Sequence, residues 1–116
     1  MREKPYLSGA ADWPPKPARA LLGAWTEEAE MGSGKNARSA KYRAFGRAVR
    51  EARARRGLSQ ETLGFAAGLH RNYVGAVERG EINPTFASLL RISHGLDVAL
   101  SVLVLLYERN MAERAR

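Results

Sequence analysis

The chain has 116 residues, no cysteine and a formal net charge of +7. That length suits one compact domain with tails and excludes barrel-type and two-domain dinucleotide enzymes. Zero cysteine excludes disulfides, thiol nucleophiles and thiolate zinc sites, and two histidines, His70 and His94, are too few for a histidine metal cluster, so neither metal nor cofactor is expected.

Four of the five prolines (Pro5, Pro14, Pro15, Pro17) fall in the first 17 residues, where each removes a backbone donor and bars a helix interior. A short helix from about Ala18 to Glu30 is predicted, with Leu21, Leu22 and Trp25 at helical spacing. Gly32-Ser33-Gly34 then reads as a flexible break. Residues 1–40 are therefore expected to form a tail or docking segment, and Met31 is a second candidate start. No long apolar run precedes a cleavage-type site, so no signal peptide is expected. Gly32-Ser33-Gly34-Lys35-Asn36 is not a phosphate-binding loop: the leading glycine is missing, and Asn36 stands where Ser or Thr would hold magnesium.

The charge excess is concentrated rather than spread. Lys35 to Arg56 holds nine basic residues and one acid, Glu51, whereas residues 1–34 sum to −1 and residues 57–116 to zero. A basic segment of this kind suits an acidic partner. Within it, Tyr42, Phe45, Val49 and Ala52 recur every three or four residues and predict an amphipathic helix from about Ala40 to Arg56, stopped by Gly57. Ser59 is placed to cap a second helix reaching Ala67, with Leu63 and Ala66 facing inward and Gly68 ending it. A third helix is predicted from Arg71 to Arg79, with Val74 and Val77 inward and Gly80 as its stop. Thr85 is placed to cap a fourth, Phe86 to Leu96, that buries Phe86, Leu89, Leu90 and Ile92. A fifth begins near Ala99 and runs past Tyr107. No strand alternation and no internal repeat interrupts this series.

Two short helices joined by a glycine turn form the unit that sets a helix into the DNA major groove. The residues that fill it here are the entry Gly57-Leu58-Ser59-Gln60, the turn Ala67-Gly68, the run Leu69-His70-Arg71-Asn72-Tyr73-Val74, and Glu78-Arg79-Gly80 followed by Asn83-Pro84. Over about Tyr42 to Leu106 the chain resembles the Cro/cI (XRE) family of phage-repressor-like DNA-binding proteins. Gly68 to Glu78 is most similar to controller proteins of restriction–modification systems. The resemblance implies an all-α, five-helix, lambda-repressor-like DNA-binding domain at residues 41–108. A flexible amino-terminal tail (1–40) would precede it, and a helix end or tail (109–116) would follow.

In that docking mode the first turn of the third helix reaches base edges, which assigns Arg71, Asn72 and Tyr73 to base reading. Arginine matches the two acceptors of guanine, and asparagine the acceptor–donor pair of adenine. The resemblance assigns Gln60 to a phosphate and to bracing the recognition helix. It leaves His70 to a phosphate or to a helix cap. Lys35, Arg38, Lys41 and Arg43 precede or open the first helix and suit an arm along the phosphates or in the minor groove. Arg53 and Glu78 match a family ion pair that ties the first helix to the third, a structural role. Gly75 and Ala76 depart from the pattern, because relatives often carry long polar readers there. Gly64 and Gly95 are weak helix formers, which suggests modest stability, and Asp97 stands in for a common glycine.

Leu96 to Leu106 is apolar at 9 of 11 positions, too short to span a bilayer, so no membrane partner is expected. Val102, Leu105 and Leu106 extend its apolar face, which points to a homodimer interface; covering by the amino-terminal segment is the alternative. The expected function is therefore a dimeric, sequence-specific transcriptional regulator on a palindromic operator in double-stranded DNA, in the bacterial cytoplasm and nucleoid. A second reading is an antitoxin-type neutraliser that binds a protein partner through residues 1–40. No nucleophile–base pair or cofactor loop is present, so no catalytic activity is expected.

Overall fold

The structure, a computed structural model, describes residues 35–114, with side chains from Ala40 onward. The predicted helix at Ala18 to Glu30 and the Gly32-Ser33-Gly34 break lie outside the described residues. Among the described residues there are five helices and no strand: α1 Lys35–Arg56, α2 Gln60–Ala67, α3 Arg71–Glu78, α4 Phe86–Leu96 and α5 Leu100–Arg114.

The bounds of the three middle helices follow from local caps. The Ser59 hydroxyl accepts from the Thr62 N–H at 3.0 Å and the Thr85 hydroxyl from the Ser88 N–H at 3.1 Å, each satisfying a donor that the first turn leaves free. Gly68, at φ 70°, closes α2 in the left-handed conformation, and the Leu69 N–H then donates back to the Gly64 carbonyl at 2.8 Å. Asp97 ends α4 in the same conformation at φ 55°, with its N–H directed at the Ser93 and His94 carbonyls.

The outer helices run further than their sequence pattern. α1 starts at Lys35 rather than near Ala40, and α5 continues to Arg114, so residues 109–114 are helix and not tail. For α5 the reason is its packing against α1, the most extensive contact in the fold. The buried Asn110 amide donates to the Ala44 carbonyl at 2.9 Å, and Arg109 pairs with Glu51. The inward stripe of α1 is Ala40, Ala44, Ala48 and Ala52 with Val49. Phe45 packs on the core from the side, and Tyr42 is half-buried. Small residues are needed because backbones meet here: a Cβ on Gly46 would lie 2.4 Å from the Val77 carbonyl oxygen and 2.5 Å from that of Glu78.

The core joins Val49 and Leu63 to Val74, Val77, Ile92, Leu96, Leu103 and Leu106, with Leu58, Leu69 and Tyr73 packed against it. Burying each leucine there contributes about 2 kcal/mol. Three sequence expectations are corrected. Ala67, not Ala66, is the inward partner of Leu63. Phe86 and Leu90 are exposed, because α4 seats through Ile92, Ser93 and Leu96 and Leu90 points about 200° away from Ile92 on a 3.6-residue turn. Val102 and Leu106 lie inside this chain's own core, and Leu105 is half-buried. The exposed apolar side chain of α5 is Val104. Gly64 and Gly95 also gain a reason. A Cβ on Gly64 would lie 2.6 Å from the Leu69 carbonyl oxygen, and one on Gly95 3.0 Å from Ala67, so both permit close approach rather than merely weakening a helix. No single described helix is long and apolar enough to cross a membrane.

Candidate nucleic-acid interface

α2 and α3 are joined by three residues, and the turn presents the first turn of α3 to solvent. The Nδ1 of His70 accepts from the Asn72 N–H at 3.0 Å, which makes His70 the cap of α3. With Nδ1 accepting, neutral His70 carries its hydrogen on Nε2, which stays available as a donor. Arg71 and Asn72 are exposed. Tyr73 is half-buried with its ring against the core.

Behind this turn lies a charged hub. The Glu78 side chain is fully buried on α3. Arg53 of α1 grips it twice, Nε to Oε2 at 2.6 Å and Nη2 to Oε1 at 3.0 Å, while Nη1 donates to the Leu58 carbonyl at 2.8 Å. The Gln60 amide of α2 donates to the same carboxylate at 3.0 Å, and Arg50 lies 3.6 Å from it. Three helices are thus fastened to one carboxylate. Its hydrogen bonds hold the Arg53 guanidinium above its ordinary value, against the opposing effect of burial. Gln60 therefore braces α3 directly.

Two further pairs stand at the two ends of α3. Arg71 Nη1 meets Glu61 Oε2 of α2 at 2.7 Å. Arg79 donates to Glu81 through Nε at 2.7 Å and Nη2 at 3.2 Å. Glu61, Glu81 and Arg79 were given no role at the interface from sequence; the four-residue spacing from Arg71 to Gly75 and from Gly75 to Arg79 at the end of α3 was the available signal. Along α1, Arg43 is exposed and backs onto Gly80, where a Cβ would lie 2.4 Å from its Cγ. Lys41 is half-buried and engaged with the protein, and the side chains of Lys35 and Arg38 lie outside those described. Among the described residues no group of three His, Cys, Asp or Glu side chains could hold a metal.

A braced α3 with a polar, exposed first turn, joined to α2 by a glycine turn, defines a helix-turn-helix DNA-binding module of lambda-repressor-like fold. A helix-turn-helix family model matches residues 49–103, from mid-α1 to early α5. The chain is 41% identical over 56 residues to the control protein C.SmaI of Serratia marcescens, covering 48% of this chain and 67% of that protein. It is 40% identical over 55 residues to the control protein C.BamHI of Bacillus amyloliquefaciens, covering 47% and 68%. The crystal structure of the restriction-modification controller protein C.AhdI from Aeromonas hydrophila superposes with a TM-score of 0.51 at 47% identity, covering 52% of this chain and 91% of that one. The chain belongs to the XRE-type helix-turn-helix family, and is a DNA-binding transcriptional regulator.

Proposed function

We propose that this chain binds a palindromic operator as a homodimer and controls a restriction–modification gene set. Arg71 and Asn72 read base edges in this arrangement, and Tyr73 adds the outer edge of its half-buried ring. Gln60, His70, Lys41 and Arg43 hold phosphates, with Lys35 and Arg38 leading the arm.

The observation that carries the reading is the state of Arg71. It stands exposed on a helix that three hydrogen bonds from two other helices hold in place, and it pairs with the exposed Glu61. An exposed pair of that kind contributes about 0–1 kcal/mol. A bidentate arginine–guanine contact is worth about 1–3 kcal/mol of discrimination. The exchange from Glu61 to a guanine therefore favours DNA. The likeness to control proteins supports the target class, and an adjacent methyltransferase or endonuclease gene would support it further. The second reading, a protein neutraliser, rests on residues 1–40, which lie almost entirely outside the described residues.

The test is a binding titration of the parent and an Arg71→Ala/Asn72→Ala variant on genomic fragments. The parent is expected to select a few fragments and the variant to bind all of them weakly and alike. A variant that selects the same fragments with the same affinity removes base reading from these residues.

A further inference from the structure

Position 75 of α3 carries no side chain, yet the space above it is filled. A Cβ there would lie 2.9 Å from Nη1 of Arg79 and 3.3 Å from Oε1 of Gln60. Gly75 is buried although it sits on the α3 edge that continues from Arg71. What covers it is the guanidinium of Arg79, which folds back one turn along the helix. Glu81 holds that guanidinium from the far side through two hydrogen bonds. Arg71 and Arg79 are thus two guanidinium groups on one edge of α3, each steadied by an exposed carboxylate, with the glycine between them.

We propose that Arg79 is a specificity-determining residue. Its guanidinium is seated over Gly75 and reads a base where a side chain at position 75 would otherwise stand. The proposal rests on α3 being the reading helix. A planar guanidinium brought to that point presents paired donors to the two acceptors of a guanine. Glu81 fixes its orientation before DNA arrives, which lowers the ordering cost of binding. The glycine is the condition for the seat. Of the glycines in close contact, Gly75 alone meets only the ends of flexible side chains, whereas Gly46, Gly64 and Gly80 meet backbone. Alanine at position 75 therefore displaces side-chain ends and no backbone, the guanidinium foremost and the Gln60 amide oxygen by a few tenths of an ångström, and the unfolding midpoint tells loss of the seat from loosening of the Gln60 brace.

The experiment is selection from a random-sequence duplex library with the full chain, followed by salt titration on the enriched duplex. Parent, Arg79→Ala, Gly75→Ala and Glu81→Gln proteins are compared, with thermal unfolding as the check on folding. The parent is expected to enrich a motif. Arg79→Ala is expected to lose about 5- to 150-fold discrimination at one base-pair position while the remaining positions persist. Gly75→Ala is expected to lose the same position without a lower unfolding midpoint. Glu81→Gln is expected to keep the motif and bind it more weakly, since one of the two acceptors that orient the guanidinium is gone. An Arg79→Ala motif identical to the parent's, with only a salt slope smaller by about 1, overturns the proposal and makes Arg79 a phosphate contact. An unchanged motif in Gly75→Ala overturns the seat. A parent that enriches no motif overturns sequence-specific binding itself, a failure distinct from either.

Discussion

Glu78 is a buried carboxylate with no route to solvent, so its stability depends on its partners. Arg53 supplies two of its hydrogen bonds and Gln60 a third. Removing Arg53 strands most of the charge, leaving Gln60 and the more distant Arg50. Breaking one partner of such a pair costs about 3–5 kcal/mol, and the remaining contacts place Arg53→Ala near 3 kcal/mol. Urea unfolding measures this. An Arg53→Ala/Glu78→Gln double variant is expected to be more stable than Arg53→Ala alone, because no charge is left unpaired. A loss of DNA binding in Arg53→Ala therefore reports the fold, not a contact. The Arg79–Glu81 pair behaves differently, being exposed. Hydrogen bonds from Arg79, aided by its charge, hold the Glu81 carboxyl below the ordinary carboxylate range. Its folded value lies below its unfolded one. The pair's contribution is thus present above the unfolded value and is lost as pH falls through the folded value. Carboxyl titration by NMR is expected to show the Glu81 midpoint rising in Arg79→Ala.

Helix by helix, what was legible in the sequence is what is decided locally. Ser59, Gly68, Thr85 and Asp97 mark the ends of α2 and α4 because capping needs a short polar side chain or a left-handed residue at one position. The Arg53–Glu78 tie was legible through family resemblance, not through spacing. The far end of α5 was not legible, because it rests on the bond between Asn110 and the Ala44 carbonyl, 66 positions apart. Nor was the outward turn of Phe86 and Leu90, since an apolar residue does not state which helix face will be covered. Gly46 carries the sharpest test of helix placement. Alanine is the better helix former by about 1 kcal/mol. Here its Cβ would lie 2.4 and 2.5 Å from two carbonyl oxygens of α3, atoms that move only if α1 and α3 separate. Overpacking costs about 1–3 kcal/mol in ordinary cores, and a clash with backbone belongs at the upper end. Gly46→Ala is expected to lose about 2 kcal/mol net by denaturant unfolding, while Gly75→Ala, which meets only side-chain ends, is expected to lose less.

Across the described residues an apolar surface and a basic surface each make a separate demand on a partner. Besides Phe65 on α2, the exposed large apolar side chains lie on α4 and α5. Leu90 is 45% exposed and Val104 41%, and Leu90 borders an open depression of about 500 Å³ lined also by Ser93, His94, Val98 and Leu100. A second copy of the chain can touch these residues, whereas Val102 and Leu106 are already enclosed. Leu90→Glu/Val104→Glu is therefore expected to weaken self-association in sedimentation equilibrium while keeping the monomer folded. Leu106→Ala is expected to cost about 2–5 kcal/mol of monomer stability instead. The basic surface is α1, whose Arg43, Arg47 and Arg50 are exposed on the helix that packs against α3. Two copies on one operator would double these cations, and six to ten phosphate contacts imply an affinity loss of about 10³–10⁵ between 50 and 200 mM salt. Arg71 and Asn72 add only one charge to this sum, so they should alter which duplex is chosen far more than how steeply salt acts. Binding titrations across that salt range are expected to give Arg43→Ala/Arg47→Ala a shallower slope with unchanged preference among duplexes. Arg71→Ala/Asn72→Ala should lose the preference and keep most of the slope. The opposite pattern would move the reading function from α3 to α1.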